Sequence, residues 1–315
     1  MLLATFLIIL GLVLLYFGAE FLVGGAASSA LRFGVSPLVA GLTVVSIGTS
    51  MPELVVSIKA ALDGLPGLAL GNIVGSNIFN VTVILGLAAL MQPLKVELQL
   101  LRLDVPLMIA LTAILALAIW TGGIERWLGA MLVGTCAIYL IWQIVASRRE
   151  SNPKVEEEFA EAMPSVSSNG WIDLGKIVLG GALLALGGRW LVDGAVDLAR
   201  YFEVKESLIG LTIVAAGTSA PELASTIVAA IKKEADIAIG NVVGSNIFNI
   251  LSVAGISSLI VPLHAQGIGH LEIGMLLVTA VLLFPIARSG FVVSRWEGGL
   301  LISLQLILWF LLWPS

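Results

Sequence analysis

Two short stretches put chemistry where the surrounding chain avoids it. "GTSMPE" (48–53) and "GTSAPE" (217–222) each set a glutamate one step after a proline, inside a long apolar run. Proline has no backbone N–H, so in a helix Pro52 removes the donor for the Gly48 carbonyl, and Pro221 does the same to Gly217. Thr49, Ser50 and Glu53 gather hydroxyl and carboxylate oxygens beside the freed carbonyls, and Thr218, Ser219 and Glu222 repeat the set. A broken helix persists at membrane depth only where protein, water or ions satisfy the freed groups. An acid at mid-membrane costs on the order of 2.5–3.5 kcal/mol even on lenient insertion scales, so packing alone does not explain Glu53 and Glu222.

Further oxygen donors follow in "GNIVGSNIFN" (71–80) and "GNVVGSNIFN" (240–249). Asn72, Ser76 and Asn80 stand at i, i+4 and i+8, one polar stripe on an otherwise apolar helix, and Asn241, Ser245 and Asn249 form its mate. Gly71 with Gly75, and Gly240 with Gly244, are small residues four apart that let another backbone approach closely. Packing accounts for these glycines and for Asn77 and Asn246. Every remaining group offers oxygen and none offers the imidazole or thiolate that zinc, copper or iron favours, so the expected ligand is a hard cation. Two carboxylates suit one Ca²⁺ or more than one Na⁺, whereas Mg²⁺ sheds water reluctantly. His264 and His270 fall in an expected outer loop and read as surface residues.

The elements that must position these groups are membrane helices. Of 315 residues, 58% are hydrophobic and 12% charged, about half the charged share of soluble domains. About ten apolar stretches are long enough to cross a hydrocarbon core of roughly 30 Å. They are expected near 2–24, 36–62, 67–91, 103–121, 126–147, 172–199, 205–231, 236–262, 270–288 and 294–313. The first lacks the basic start of a secretory signal and is read as a helix. The single cysteine, Cys136, lies in an apolar span, excludes an intrachain disulfide framework and reads as a small buried hydrophobe. A net charge of −5 gives no basic face for nucleic acid.

Sliding the chain by 169 positions superimposes Gly41–Asn80 on Gly210–Asn249 without a gap, with about 23 of the 40 pairs identical. The weaker match of "GAEFLVGGA" (18–26) to "GGRWLVDGA" (187–195) brings the first helix of each half into the duplication. The expected organisation is therefore an all-α membrane protein of two five-helix repeats, 1–149 and 171–315, joined by an acidic linker, 150–170. An odd number of spans per repeat makes the second copy enter from the opposite membrane face, the inverted topology typical of transporters. Lys and Arg concentrate on the face carrying Arg148, Arg149 and Lys154, which the positive-inside rule makes cytoplasmic. Both termini are then outside and the linker inside, where it reads as a solvated tether. Trp120, Trp127, Trp142, Trp171, Trp296, Trp309 and Trp313 fall near span ends, as an interfacial aromatic belt would.

With these motifs in hand, the paired "GTSMPE…GNIVGSNIFN" and "GTSAPE…GNVVGSNIFN" resemble the two alpha-repeats of the sodium/calcium exchanger branch of the calcium/cation antiporter superfamily. The resemblance implies a prokaryotic, inner-membrane Na⁺/Ca²⁺ antiporter of ten helices. In it helices 2, 3, 7 and 8 surround the ions, and helices 1 and 6 slide to alternate access. It implies that Glu53 and Glu222 bind Ca²⁺ and Na⁺ in turn. Thr49, Ser50, Ser76, Thr218, Ser219 and Ser245, with the backbone carbonyls of Ser46 and Ala215, then complete the sodium sites. Asn80 matches the family pattern, while Asn249 stands where several relatives have an aspartate. The expected partners are Ca²⁺, Na⁺ and the lipid bilayer, with no cofactor, nucleic acid or obligate protein partner. A Ca²⁺/H⁺ antiporter needs the same acidic pair, and a cation channel needs a continuous pore instead of a central cage. An intramembrane enzyme would need a nucleophile and base, or a metal-binding histidine pair, that the spans do not supply.

Overall fold

The computed structural model describes residues 2–34, 46–96, 98, 100–147, 169–232 and 235–312. The first half begins with α1, Leu2–Arg32, followed by α2, whose described part is Ser46–Thr49 and Met51–Leu62. Next come α3, Pro66–Met91, then α4, Leu100–Trp120, and α5, Arg126–Ser147. In the second half α6 is Gly170–Tyr201, and α7 is Glu206–Thr218 followed by Ala220–Lys232. Then α8 runs as Ala235–Phe248, Asn249–Ala254 and Gly255–Ile260, ahead of α9, His270–Arg288, and α10, Arg295–Leu312. Among the described residues eight helices are long and apolar enough to cross a membrane, and the bent α7 pair makes a ninth. The expected span 36–62 is described only from Ser46 onward, and the expected linker only at Asn169 and Gly170. Asn169 accepts the Trp171 N–H at 3.0 Å and caps α6, so that helix starts two residues before the expected 172.

Helices α1 and α6 pack along their whole length, running antiparallel. A Cβ on Gly11 would meet the backbone of Leu191 and Gly187, one on Gly18 that of Leu184 and Gly180, and one on Gly194 the carbonyl of Ala4. Positions 4, 11, 18 and 25 of α1 thus face positions 194, 187, 180 and 173 of α6, a seven-residue repeat on each helix. Small residues at that period bring two backbones nearly into contact, where van der Waals attraction supplies the association energy that hydrophobic burial cannot supply in lipid. At one end Arg32 reaches the fully buried Asp173, Nη2 to Oδ2 at 3.2 Å, and carries α1 eight residues past its expected end.

Two helices form the centre. The apolar windows of α3 and α8 are 83% and 72% buried, against at most 44% for the other spans, so these two lie inside the bundle. Large apolar side chains exposed on the outer helices, among them Phe6, Leu117, Ile138, Val178 and Leu306, form a lipid-facing surface. Trp120, Trp127, Trp171 and Trp296 are exposed at helix ends, as an aromatic belt requires, while Trp313 lies outside the described residues.

The expectation of helices alone is corrected at the loops. Two short antiparallel ladders staple them: β1, Leu94–Lys95, with β4, Val292–Val293, and β2, Gly123–Ile124, with β3, Leu263–His264. They satisfy backbone groups that the ends of α3, α5, α8 and α10 leave outside any helix. Moving one partner forward by 169 and the other back by 169 converts one ladder into the other. The same exchange converts the close approach of Gly86 to Gly298 into that of Gly255 to the α5 helix near Gly129.

Candidate cation-binding site

Helix α2 breaks at Ser50 and α7 at Ser219, each two residues before its proline, Pro52 and Pro221, and α7 bends there by 46°. Each proline sits in the first turn of the second segment, where its missing N–H costs least. The break presents Glu53 and Glu222 on the first turn of their segments, facing the interior, with exposures of 0% and 1%.

The halves bind each other through these acids. Ser50 Oγ donates to Glu222 Oε1 at 3.2 Å, and Ser219 Oγ donates to Glu53 Oε1 at 2.9 Å. In each carboxylate one oxygen therefore takes a hydroxyl from the opposite half's break, while Oε2 is buried without a hydrogen-bond partner. Among the expected site residues two amide oxygens share that condition, Asn80 Oδ1 and Asn249 Oδ1; Asn77 Oδ1 and Gln143 Oε1 share it too. Asn80 donates through Nδ2 to Asn246 Oδ1 at 3.0 Å, and Asn249 through Nδ2 to Ser76 Oγ at 3.2 Å, so both amides keep their oxygens free. Both asparagines open π-helical turns, Asn80–Ile84 and Asn249–Ala254, a local widening common at functional sites. Buried unpartnered oxygens carry a desolvation cost that a bound cation relieves, and four from neutral and singly charged groups match the preference of Ca²⁺ and Na⁺ for oxygen.

The other expected residues gather around this core. Thr49, Thr218 and Ser76 are buried, and Ser245 is buried on α8 at the position equivalent to Ser76. Ser76 Oγ donates to the Asn72 carbonyl at 2.8 Å. Ala215 is buried, and its carbonyl accepts Ser219 N–H at 3.1 Å and the Thr218 hydroxyl at 3.3 Å. Ser46 opens the short helix Ser46–Thr49. Tight packing at Gly71 and Gly75 is as their spacing suggested: the α7 backbone at Ser207 and Leu211 leaves no room for a Cβ. The positions equivalent to Ser207 and Leu211 in the first half, 38 and 42, lie outside the described residues. His264 and His270 are exposed away from the site, and Cys136 is buried and free.

Several polar features of the spans escaped the sequence reading, among them the buried contact of the Thr82 hydroxyl with Gln305 Oε1 at 2.6 Å. Asp173, fully buried against Arg32, sits too near a helix end to stand out from ordinary interfacial charge. Tyr139 donates to Asp104 at 3.0 Å and accepts from Gln143 at 2.7 Å, linking α4 to α5 through residues that have no counterpart in the other half.

A helical membrane bundle built around a buried cage of carboxylate, amide and hydroxyl oxygens is the architecture of a cation transporter. A family profile described as sodium/calcium exchanger protein matches residues 3–145 and 173–313. The chain is 40% identical to the inner membrane protein YrbG of Escherichia coli, over 83% of this chain and 81% of the relative. It is 30% identical to the sodium/calcium exchanger MaX1 of Methanosarcina acetivorans over 94% of each. Among solved structures it is similar to the sodium-calcium exchanger NCX_Mj soaked with Na⁺ and Sr²⁺, at 31% identity and a TM-score of 0.68, covering all of this chain and 99% of the other. The chain belongs to the sodium/calcium exchanger family, and its class of activity is membrane cation antiport.

Proposed function

We propose that the protein exchanges Na⁺ for Ca²⁺ by alternating access, with Glu53 and Glu222 as ligands that both ions use in turn. One observation carries this reading: each glutamate is held by the hydroxyl of the opposite half's helix break while its second oxygen stays unpartnered in the interior. Thr49, Ser50, Ser76, Asn80, Thr218, Ser219, Ser245 and Asn249, with the carbonyls of Ser46 and Ala215, complete the ligand set in this reading. One ion set must leave before the other can bind, because both need the same two carboxylates. That mutual exclusion couples the two fluxes.

Residues 1–149 and 171–315 act as two five-helix repeats of opposite orientation in the inner membrane, with both termini outside and 150–170 as a cytoplasmic linker. Antiparallel packing of the equivalent helices α1 and α6, and the exchange of contacts under a shift of 169, support this arrangement. An axis in the membrane plane lets one pathway open to each side in turn.

The test is ⁴⁵Ca²⁺ uptake into proteoliposomes under an imposed Na⁺ gradient and, separately, under a pH gradient alone. Uptake with Na⁺ only is the expected result. Uptake driven by the pH gradient alone would make the protein a Ca²⁺/H⁺ antiporter, and flux without counterflow acceleration would make it a channel.

A further inference from the structure

A hydroxyl can turn its lone pairs toward a cation only when its proton is engaged elsewhere. At this site the nearest proton acceptors for two hydroxyls come from a single residue, Asn72, which is fully buried; the Ala215 carbonyl lies at 3.3 Å from Thr218 Oγ1 and the Ile73 carbonyl at 3.2 Å from Ser76 Oγ. Its side-chain Oδ1 accepts from Thr218 Oγ1 at 3.1 Å, and its backbone carbonyl accepts from Ser76 Oγ at 2.8 Å. Its Nδ2 donates to Ser57 Oγ at 3.0 Å and to the Glu53 carbonyl at 3.3 Å. Reversing the amide would set Oδ1 against the Glu53 carbonyl, acceptor facing acceptor, and that contact selects the orientation. Asn72 therefore joins the helix that bears Glu53 to the helix break of the opposite half.

We propose that Asn72 is a positioning residue for cation binding: it takes the Thr218 proton so that the Thr218 oxygen faces the ion, and it fixes the turn that carries Glu53. Asn241 holds the second glutamate in the same way, donating through Nδ2 toward the Glu222 carbonyl at 3.3 Å and to Thr226 at 2.7 Å, the positions equivalent to Glu53 and Ser57. The asparagines touch no ion in this scheme. They act through Thr218 and the two glutamates.

The inference rests on the exchange reading, so binding and flux are measured side by side: ⁴⁵Ca²⁺ bound at equilibrium by purified protein, and Na⁺-driven ⁴⁵Ca²⁺ uptake. Asn72→Leu, which keeps the volume and removes both polar functions, is expected to raise half-saturating Ca²⁺ tenfold or more in both assays. In a Thr218→Val background, where the hydroxyl is already gone, the same change is expected to add less than threefold, since residues acting as a unit are not additive. Asn72→Asp keeps an acceptor for Thr218 and is expected to recover binding relative to Asn72→Leu. If Asn72→Leu fails to fold, Asn72→Ser, too short to span the three partners, replaces it in the cycle. Fully additive losses in the two backgrounds, or an Asn72→Asp variant no better than Asn72→Leu, would overturn the positioning role. Wild-type protein that binds Ca²⁺ without exchanging it for Na⁺ would overturn the exchange reading alone, and the binding cycle would still decide the role of Asn72.

Discussion

Replacing Glu53 by glutamine removes one of two charges from the site and leaves the shape nearly unchanged. Glu53 is fully buried, takes the Ser219 hydroxyl at 2.9 Å on Oε1, and leaves Oε2 unpartnered. Glutamine has one oxygen for these two tasks. If the oxygen keeps Ser219, the NH₂ points its protons where Oε2 faced the ion. If the oxygen serves the ion, Ser219 loses its acceptor. Removing one partner of a buried, hydrogen-bonded charge pair costs about 2–5 kcal/mol. At about 1.4 kcal/mol per tenfold, half-saturating Ca²⁺ should rise between about 30-fold and several thousandfold. Folding of the ion-free protein should be unimpaired, because the substitution deletes a buried group whose charge the fold alone must otherwise accommodate. The assay is Na⁺-driven ⁴⁵Ca²⁺ uptake over a wide Ca²⁺ range, with Tm of the ion-free protein as the folding control. Glu222→Gln should behave alike. Near-normal uptake in both variants, with half-saturation within threefold of wild type, would refute the assignment of the shared site.

Exchange is expected to move net charge, since two carboxylates balance one Ca²⁺ while the surrounding hydroxyls and carbonyls can hold a third Na⁺. A valinomycin-imposed potential should then bias uptake, and indifference to it would indicate electroneutral two-for-one exchange. No K⁺ requirement is expected, because Asn249 brings a neutral oxygen where an aspartate would add the charge an extra monovalent ion needs; replacing K⁺ by choline checks this. Asn249→Asp should alter ion selectivity, as it places a third acid in the cage and removes the amide donor now bound to Ser76 at 3.2 Å. Gly18→Ala should destabilise the protein by about 1–3 kcal/mol and slow transport, because its Cβ would lie 2.8 Å from the backbone nitrogen of Leu184 and force α1 from α6. A thermal-shift measurement beside the flux assay tests it, and unchanged Tm and flux would remove that contact from the argument.

The sequence alone determined the membrane class, the duplication and the central acids. Apolar runs report span length directly, because every membrane helix must cover the same hydrocarbon thickness. Identity between Gly41–Asn80 and Gly210–Asn249 reports the repeat, and Glu53 and Glu222 stand out because charge in such a run is costly. Helical spacing also placed Asn72, Ser76 and Asn80 on one stripe, but a stripe does not say which helix it meets. Tertiary structure decided that each glutamate takes its hydroxyl from the other half, that Asn249 meets Ser76, and that Asn72 reaches Thr218. It also showed that the glycines of α1 and α6 fall into matching seven-residue registers and that Asp173 is buried against Arg32. The two-residue ladders are too short to leave any alternation in the sequence. Local pattern fixes the face a side chain occupies on its own helix, whereas its partner depends on how distant segments cross.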